Sequence, residues 1–194
     1  EADAKQQTAE ADAAMRRARE AAPQAARPLV LAGQRAARAG DHAEALTLWG
    51  ALMVTHPAAF NLVARDYAAA AVAAGQTAAA HERLLELYRR APTMDLLSAI
   101  GALEPDTAQQ RERVRQHLRT YPTLAAAQAF LSQSPDDNPA TAACAPVREA
   151  VNRAAQPLHR YRCAACAFEA QHYFWQCPGC LSWDSYPPQR LEDL

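Results

Sequence analysis

Apolar and polar positions in the first two thirds of the chain fall into helix-like runs, and each run stops at a proline. Four of these runs are MRRAREAAP (15–23), WGALMVTHP (49–57), LLELYRRAP (84–92) and VRQHLRTYP (114–122). Pro23, Pro57 and Pro92 are 34 and 35 residues apart, and Pro122 follows 30 later. Gly40 and Gly75 lie 35 apart, each 17 residues before the next such proline. Each glycine precedes an N-cap candidate, Asp41 in one case and, one residue further on, Thr77 in the other; Asp41 and Glu44 have capping-box spacing. The pattern predicts helix, glycine turn, helix and proline, repeated.

A period of ~34 residues with that content is the signature of tetratricopeptide repeats. Ala45 and Ala80 stand 12 residues before their prolines, where two helices cross closely; Trp49 and Leu84 stand 8 before, where a large apolar residue belongs. Gly33 falls at the close-packing position of the first helix of its repeat. The match is best over 28–92; a third, shorter unit (93–122) is less regular because Pro105 interrupts it. A generic antiparallel bundle with accidental proline spacing is the alternative, and three proline intervals, two glycine offsets and two alanine matches favour repeats. A single helix over roughly 5–21 corresponds to the second helix of a repeat whose first is missing. With no initiating Met, the chain is expected to be the C-terminal part of a longer protein.

The remaining organisation follows. Residues 1–131 are expected to be helical repeats, the first truncated. Residues 132–146, with three prolines in SQSPDDNPATAACAP, are expected to be a flexible loop. Residues 147–158 form a connecting helix that packs on the repeats, with Val147, Val151 and Leu158 on one stripe. Residues 159–194 hold the cysteines.

Composition sharpens this. Half of the residues are hydrophobic, but 49 of them are alanine, and Val and Ile together number eight. That argues against a sheet protein and for closely packed helices. No apolar stretch reaches the ~18 residues of a membrane span, and no signal peptide is evident. Lys plus Arg number 20 against 21 for Asp plus Glu, a net charge of −1, so neither nucleic acid nor an acidic membrane surface is expected as the main partner. All the basic residues but Lys5 are arginine, which with the alanine excess fits a compositional bias of the genome. Arg111, Arg113, Arg115 and Arg119 spread around a helix with Glu112 among them, as on a solvated face.

Of the five cysteines, four are grouped: Cys163-x-x-Cys166, ten residues, Cys177-x-x-Cys180. Two such pairs suit one tetrahedral tetrathiolate site, each knuckle turning two sulfurs towards a single ion of zinc or iron. Four cysteines close the coordination shell, which favours a structural ion over a catalytic one. A thioredoxin-type pair lacks its βαβ context, a c-type haem lacks the histidine after the second cysteine, and disulfides require an oxidising compartment. His159 and His172 are expected to be turn residues, and Cys144 a plain small residue. Seven of the 13 aromatics lie in 161–186. Phe168, Trp175 and Trp183 are expected in the core of this small module; Tyr173 and Tyr186 are open.

The segment YRCAACAFEAQHYFWQCPGCLSWDSYPP resembles the C-terminal rubredoxin-type domain of the lipopolysaccharide assembly protein B (LapB) family. Tyr161, Arg162, Cys163, Cys166, Phe168, Trp175, Cys177, Pro178, Cys180, Trp183 and Pro187 fit the pattern, and Ala167 departs from its knuckle glycine. The fold class is therefore mostly α: a tetratricopeptide-type hairpin solenoid followed by a rubredoxin-like, zinc-ribbon module with one tetrathiolate-bound ion, iron or zinc. The resemblance implies a non-enzymatic adaptor on the cytoplasmic face of a bacterial inner membrane, anchored by an N-terminal helix absent from this chain. It implies protein partners at the repeat groove: a membrane AAA protease, the deacetylase that commits lipid A synthesis, and lipopolysaccharide-assembly proteins. Enzyme motifs such as a phosphate loop or G-x-S-x-G are missing. An electron-transfer protein and a nucleic-acid-binding zinc ribbon are the alternatives.

Overall fold

The computed structural model describes residues 5–22, 25–133 and 144–193. Pro23 and most of the expected loop 132–146 lie outside the described residues. The chain divides into two compact units, 1–103 and 104–194.

The first unit is a series of helices: α1 (Lys5–Ala21), α2 (Ala26–Arg38), α3 (His42–Thr55), α4 (Pro57–Phe60), α5 (Ala64–Ala73), α6 (Thr77–Arg90) and α7 (Met94–Leu103), with a short 3₁₀ turn, Asn61–Val63, between α4 and α5. Glycine sets both hairpin turns. Gly40 has φ +82°; its N–H donates to Ala37 O at 3.1 Å and that of Asp41 to Ala36 O at 2.9 Å. Gly75 has φ +68°, with its N–H on Val72 O at 3.1 Å and that of Gln76 on Ala71 O at 2.8 Å. Both are Schellman turns, which glycine enters without the Cβ penalty of the left-handed region. Asp41 then caps α3, its carboxylate accepting from Glu44 N–H at 3.0 Å. At the second turn the helix begins one residue earlier than expected: Thr77 is its first residue, and the cap position falls to Gln76, whose side chain makes no capping bond.

The prolines end helices by a common geometry. His56, Ala91 and Tyr121 each precede one, and each has φ between −127° and −143° and ψ between 69° and 82°. The ring of the following proline disfavours helical ψ there. In the first unit α2 packs on α3, α5 on α3 and α6, and α7 on α5 and α6. Ala45, Ala80, Trp49 and Leu84 are all buried, with Phe60, Tyr67, Leu52, Leu96 and Ile100 around them. Phe60 and Tyr67 meet edge to face at 5.3 Å. Thr93 accepts from Leu96 N–H at 3.2 Å to cap α7 and donates to Asn61 Oδ1 at 2.8 Å.

The second unit contains α8 (Thr107–Thr120), α9 (Leu124–Ser132), α10 (Ala145–Ala155) and the cysteine module. Asp106 caps α8 through the N–H groups of Ala108 and Gln109 (2.8 and 3.2 Å), and Thr123 caps α9 through Ala126 N–H at 3.1 Å. Three arginines of α8 have internal partners. Arg113 grips the buried carboxylate of Glu104 through Nε and Nη2 at 3.2–3.3 Å, Arg115 pairs with Glu112, and Arg111 donates to Gln133 O at 2.7 Å. Helix α9 packs on α8 and α10. The stripe expected on α10 is displaced: Val147 is exposed and Ala155 is the buried residue. No described helix is long and apolar enough to cross a membrane.

Candidate metal centre

The module starts where a 3₁₀ turn, Gln156–His159, delivers the chain into β1 (Tyr161–Arg162), which pairs antiparallel with β2 (Glu169–Ala170) in the register Tyr161↔Ala170. Arg162 and Arg160 both reach Glu169, holding its carboxyl below the usual range, mostly through the Arg162 bond. The first knuckle lies between these strands; the second lies inside an isolated bridge, Gln176↔Trp183.

The two knuckles are built alike. Cys163 N–H donates to Phe168 O at 3.0 Å and Cys177 N–H to Ser182 O at 2.9 Å. Ala167 N–H donates to Cys163 O and Leu181 N–H to Cys177 O, both at 2.9 Å. In each, the residue after the second cysteine turns the chain with φ +61°, and that residue is Ala167 or Leu181. The sequence marks Ala167 as a departure from the glycine of the related pattern; Leu181 occupies the same place in the second knuckle and carries no such mark.

This geometry gathers all four sulfurs. The Sγ atoms of Cys163, Cys166, Cys177 and Cys180 lie within 4.8 Å of one another. Cys163 and Cys180 approach to 3.8 Å, and Cys166 and Cys177 to 3.6 Å. A disulfide needs about 2.05 Å. A tetrahedron with zinc–sulfur bonds of ~2.3 Å has edges of ~3.8 Å. The donor set therefore fits one tetrahedral, thiophilic cation, with Cys163 and Cys177 buried and Cys166 and Cys180 facing solvent. His172 is exposed and His159 half-buried, and neither joins this group.

The surroundings favour thiolates unevenly. The Ser185 hydroxyl, with the amides of Cys166 and Ala165, brings the Cys163 thiol down to about 6 against the effect of burial. At Cys177 burial pushes up, but the Cys180 and Gly179 amides and nearby hydrogen bonds outweigh it and lower the thiol. At Cys166 the Phe168 amide pulls down, while burial and the three other sulfurs push up to about 12. Four sulfurs this close cannot all ionise beside one another without a cation among them.

The aromatic core differs from the expected one. Phe168 is 44% exposed and Trp183 59%, whereas Tyr161 and Tyr186 are 7% and 2% exposed. Trp175 is half-buried, in an edge-to-face contact with Tyr173 at 4.9 Å. Tyr173 also meets Tyr161 at 5.6 Å and Tyr186 at 6.2 Å. The physical reason is polarity. A core wedged between thiolates and backbone carbonyls suits a ring with a hydroxyl: Tyr186 donates to Phe168 O at 3.2 Å, and Tyr173 to Tyr186 O at 3.1 Å. Phe168 lies over Gly179, where a Cβ would sit 3.3 Å from its ring.

The C-terminal tail ties the module to the helices of its unit. Leu191 N–H donates to Arg160 O at 2.9 Å, and Arg190 donates to His159 O at 2.7 Å while lying 5.2 Å from the Tyr161 ring centroid. Glu192 closes on the N-terminus of α9, its carboxylate accepting from Leu124 N–H and, at 2.9 Å, from Ala125 N–H. A carboxylate there neutralises orphan donors and the positive end of the helix dipole. Glu192 was not singled out from the sequence, because a tail acid 67 residues from its partner leaves no local signal.

The knuckle geometry gives a first prediction. Ala167→Gly should stabilise the metal-loaded chain by about 1 kcal/mol, by relieving the left-handed backbone. Thermal unfolding measures this, and an unchanged or lowered midpoint contradicts it.

Comparison with known proteins agrees with this geometry. A family model described as a rubredoxin metal binding domain, and named for the zinc ribbon of LapB, matches residues 161–188. These residues contain both knuckles, with Tyr161, Tyr173 and Tyr186. No curated protein matches the chain.

Proposed function

We propose that the chain is a non-enzymatic regulatory scaffold of the LapB type. Its helical hairpins, read as tetratricopeptide repeats, hold partner proteins, and a metal ion bound by Cys163, Cys166, Cys177 and Cys180 fixes the fold of the tail. The observation that carries this reading is the match of residues 161–188 to the LapB-named rubredoxin metal binding domain, in a chain whose preceding residues are helical hairpins. A groove of about 500 Å³ in the first unit supports the scaffold role. It runs between α2 and α5 over Trp49, with Gln34, Arg38, His42 and Asp66 at its polar positions. By the same resemblance the scaffold works at the cytoplasmic face of the inner membrane, where it promotes proteolysis of the deacetylase that commits lipid A synthesis. A membrane AAA protease carries out that proteolysis.

Reconstitution tests the proposal. Purified protease and deacetylase are incubated with ATP, with and without the scaffold in its membrane-anchored form, and deacetylase half-life is followed. A several-fold shorter half-life with the scaffold supports it, and an unchanged half-life refutes it. A second reading, electron transfer through bound iron, has one observation in its favour: Cys166 and Cys180 face solvent, where an electron can enter. Metal analysis of the natively produced protein separates the two, since zinc has no redox chemistry.

A further inference from the structure

Three hydroxyls stand against the cysteine sulfurs. Ser185 Oγ lies 3.2 Å from Cys163 Sγ, Ser182 Oγ lies 3.4 Å from Cys180 Sγ, and Tyr186 Oη lies 3.8 Å from Cys177 Sγ. The knuckles' own amides also serve these sulfurs, as Gly179 N–H does at 3.4 Å from Cys177 Sγ. Of the hydroxyls, Ser185 makes the closest approach, and it reaches a cysteine in the other knuckle, 22 residues away.

Ser185 is also held in place by its backbone. Its carbonyl accepts from Ala164 N–H at 2.7 Å, inside the first knuckle. Its hydroxyl has a second partner, the Ser182 carbonyl, at 3.3 Å. A hydroxyl has one proton to give. A metal-bound sulfur has no proton, so the bridge to Cys163 exists only if Ser185 donates to the sulfur.

We propose that Ser185 is a positioning residue of the metal centre: its hydroxyl donates to Cys163 Sγ in the metal-loaded site, and so strengthens binding across the two knuckles. The inference rests on the tetrathiolate reading of the site and extends it to a residue outside the cysteine pattern. A donor on a ligand sulfur draws off part of its charge, which steadies the tetrathiolate and blunts its reactivity towards electrophiles. Outer-shell partners of this kind are worth roughly ten- to a hundredfold in metal affinity.

The test uses the full chain loaded with cobalt(II) as a spectroscopic stand-in, alongside zinc. Ser185→Ala keeps the backbone bond to Ala164, so the fold is preserved, and circular dichroism checks this. Metal affinity is measured by chelator competition, and the sulfur-to-cobalt charge-transfer band by absorption. The expected results are about ten- to a hundredfold weaker binding in Ser185→Ala, a shifted charge-transfer band and faster alkylation of the loaded cysteines, with Ser185→Thr restoring all three. A folded Ser185→Ala with unchanged affinity and spectrum overturns the role of Ser185 and leaves the metal site standing. A wild-type chain that binds neither cobalt nor zinc overturns both.

Discussion

Changing Cys177 and Cys180 together to serine is expected to abolish metal binding and unfold the C-terminal module while leaving the first helical unit folded. The module has little else to hold it. Its regular structure is two strands of two residues each and one isolated bridge. Its buried side chains are few, chiefly Tyr161, Cys163, Cys177 and Tyr186. Segments this small need a staple, and a structural zinc supplies about 10–16 kcal/mol of folding free energy. That is as large as the whole net stability of a typical domain, ~5–15 kcal/mol, so the few buried side chains of the module do not compensate for its loss. Near-UV circular dichroism and limited proteolysis within 161–193 report the result, with chelation of the wild-type chain as a parallel route. Far-UV dichroism changes little at the module itself, because so few of its residues are in regular structure. A metal-free double variant with wild-type near-UV signal and protease resistance sinks the structural role of the ion.

The loss should spread beyond the module, because the tail is a strut. Once residues 186–193 are released, Glu192 no longer accepts from Leu124 and Ala125 N–H, and α9 keeps only Thr123 as its cap. A helix carboxylate cap is worth about 1 kcal/mol. Faster amide exchange in the first turn of α9 is the expected secondary sign. Within the second unit, the metal therefore couples to α9 through Glu192.

The ligands were legible in the sequence because knuckle chemistry is local: two C-x-x-C pairs and a ten-residue spacer specify four sulfurs without long-range information. The hairpins were legible because glycine and proline mark turns by backbone sterics alone, as Gly40 and Gly75 show with their positive φ. What the sequence concealed depends on partners far along the chain. Phe168 and Trp183 looked like core by hydrophobicity, yet both are exposed, and Tyr186 replaces them because its hydroxyl reaches Phe168 O and the sulfur edge. Ser185 and Glu192 carry no pattern of their own. Arg113 looked like part of a solvated basic run, and only its contact with the buried Glu104 shows otherwise. Thr77 was placed one residue off for a smaller reason: a threonine after a glycine invites a cap assignment, but the Schellman turn at Gly75 delivers the cap position to Gln76.

Trp49→Ala is expected to destabilise the first unit by about 3–5 kcal/mol. The indole is fully buried, and its N–H reaches Val30 O at 3.5 Å. It also explains Gly33. A Cβ built on Gly33 would lie 2.3 Å from Trp49 Nε1 and 2.6 Å from its Cε2, far inside van der Waals contact, so the indole or the helix must shift to admit it. Gly33→Ala should therefore cost about 1–3 kcal/mol by overpacking, despite alanine's better helix propensity. Gly50 provides the contrast within the same hairpin. It lies in the interior of α3, and its nearest obstacle is Arg83 Nη1 at 3.6 Å, the end of a flexible side chain. Gly50→Ala should stabilise by about 0.5–1 kcal/mol. The pair Gly33–Trp49 should also be coupled: with the indole gone, the methyl of Gly33→Ala enters the vacated space, so the double variant costs less than the sum of the two single ones. Denaturant unfolding of the four variants measures this. Strict additivity, or a harmless Gly33→Ala, would mean that the close crossing of α2 and α3 over Trp49 does not set the packing of the hairpin.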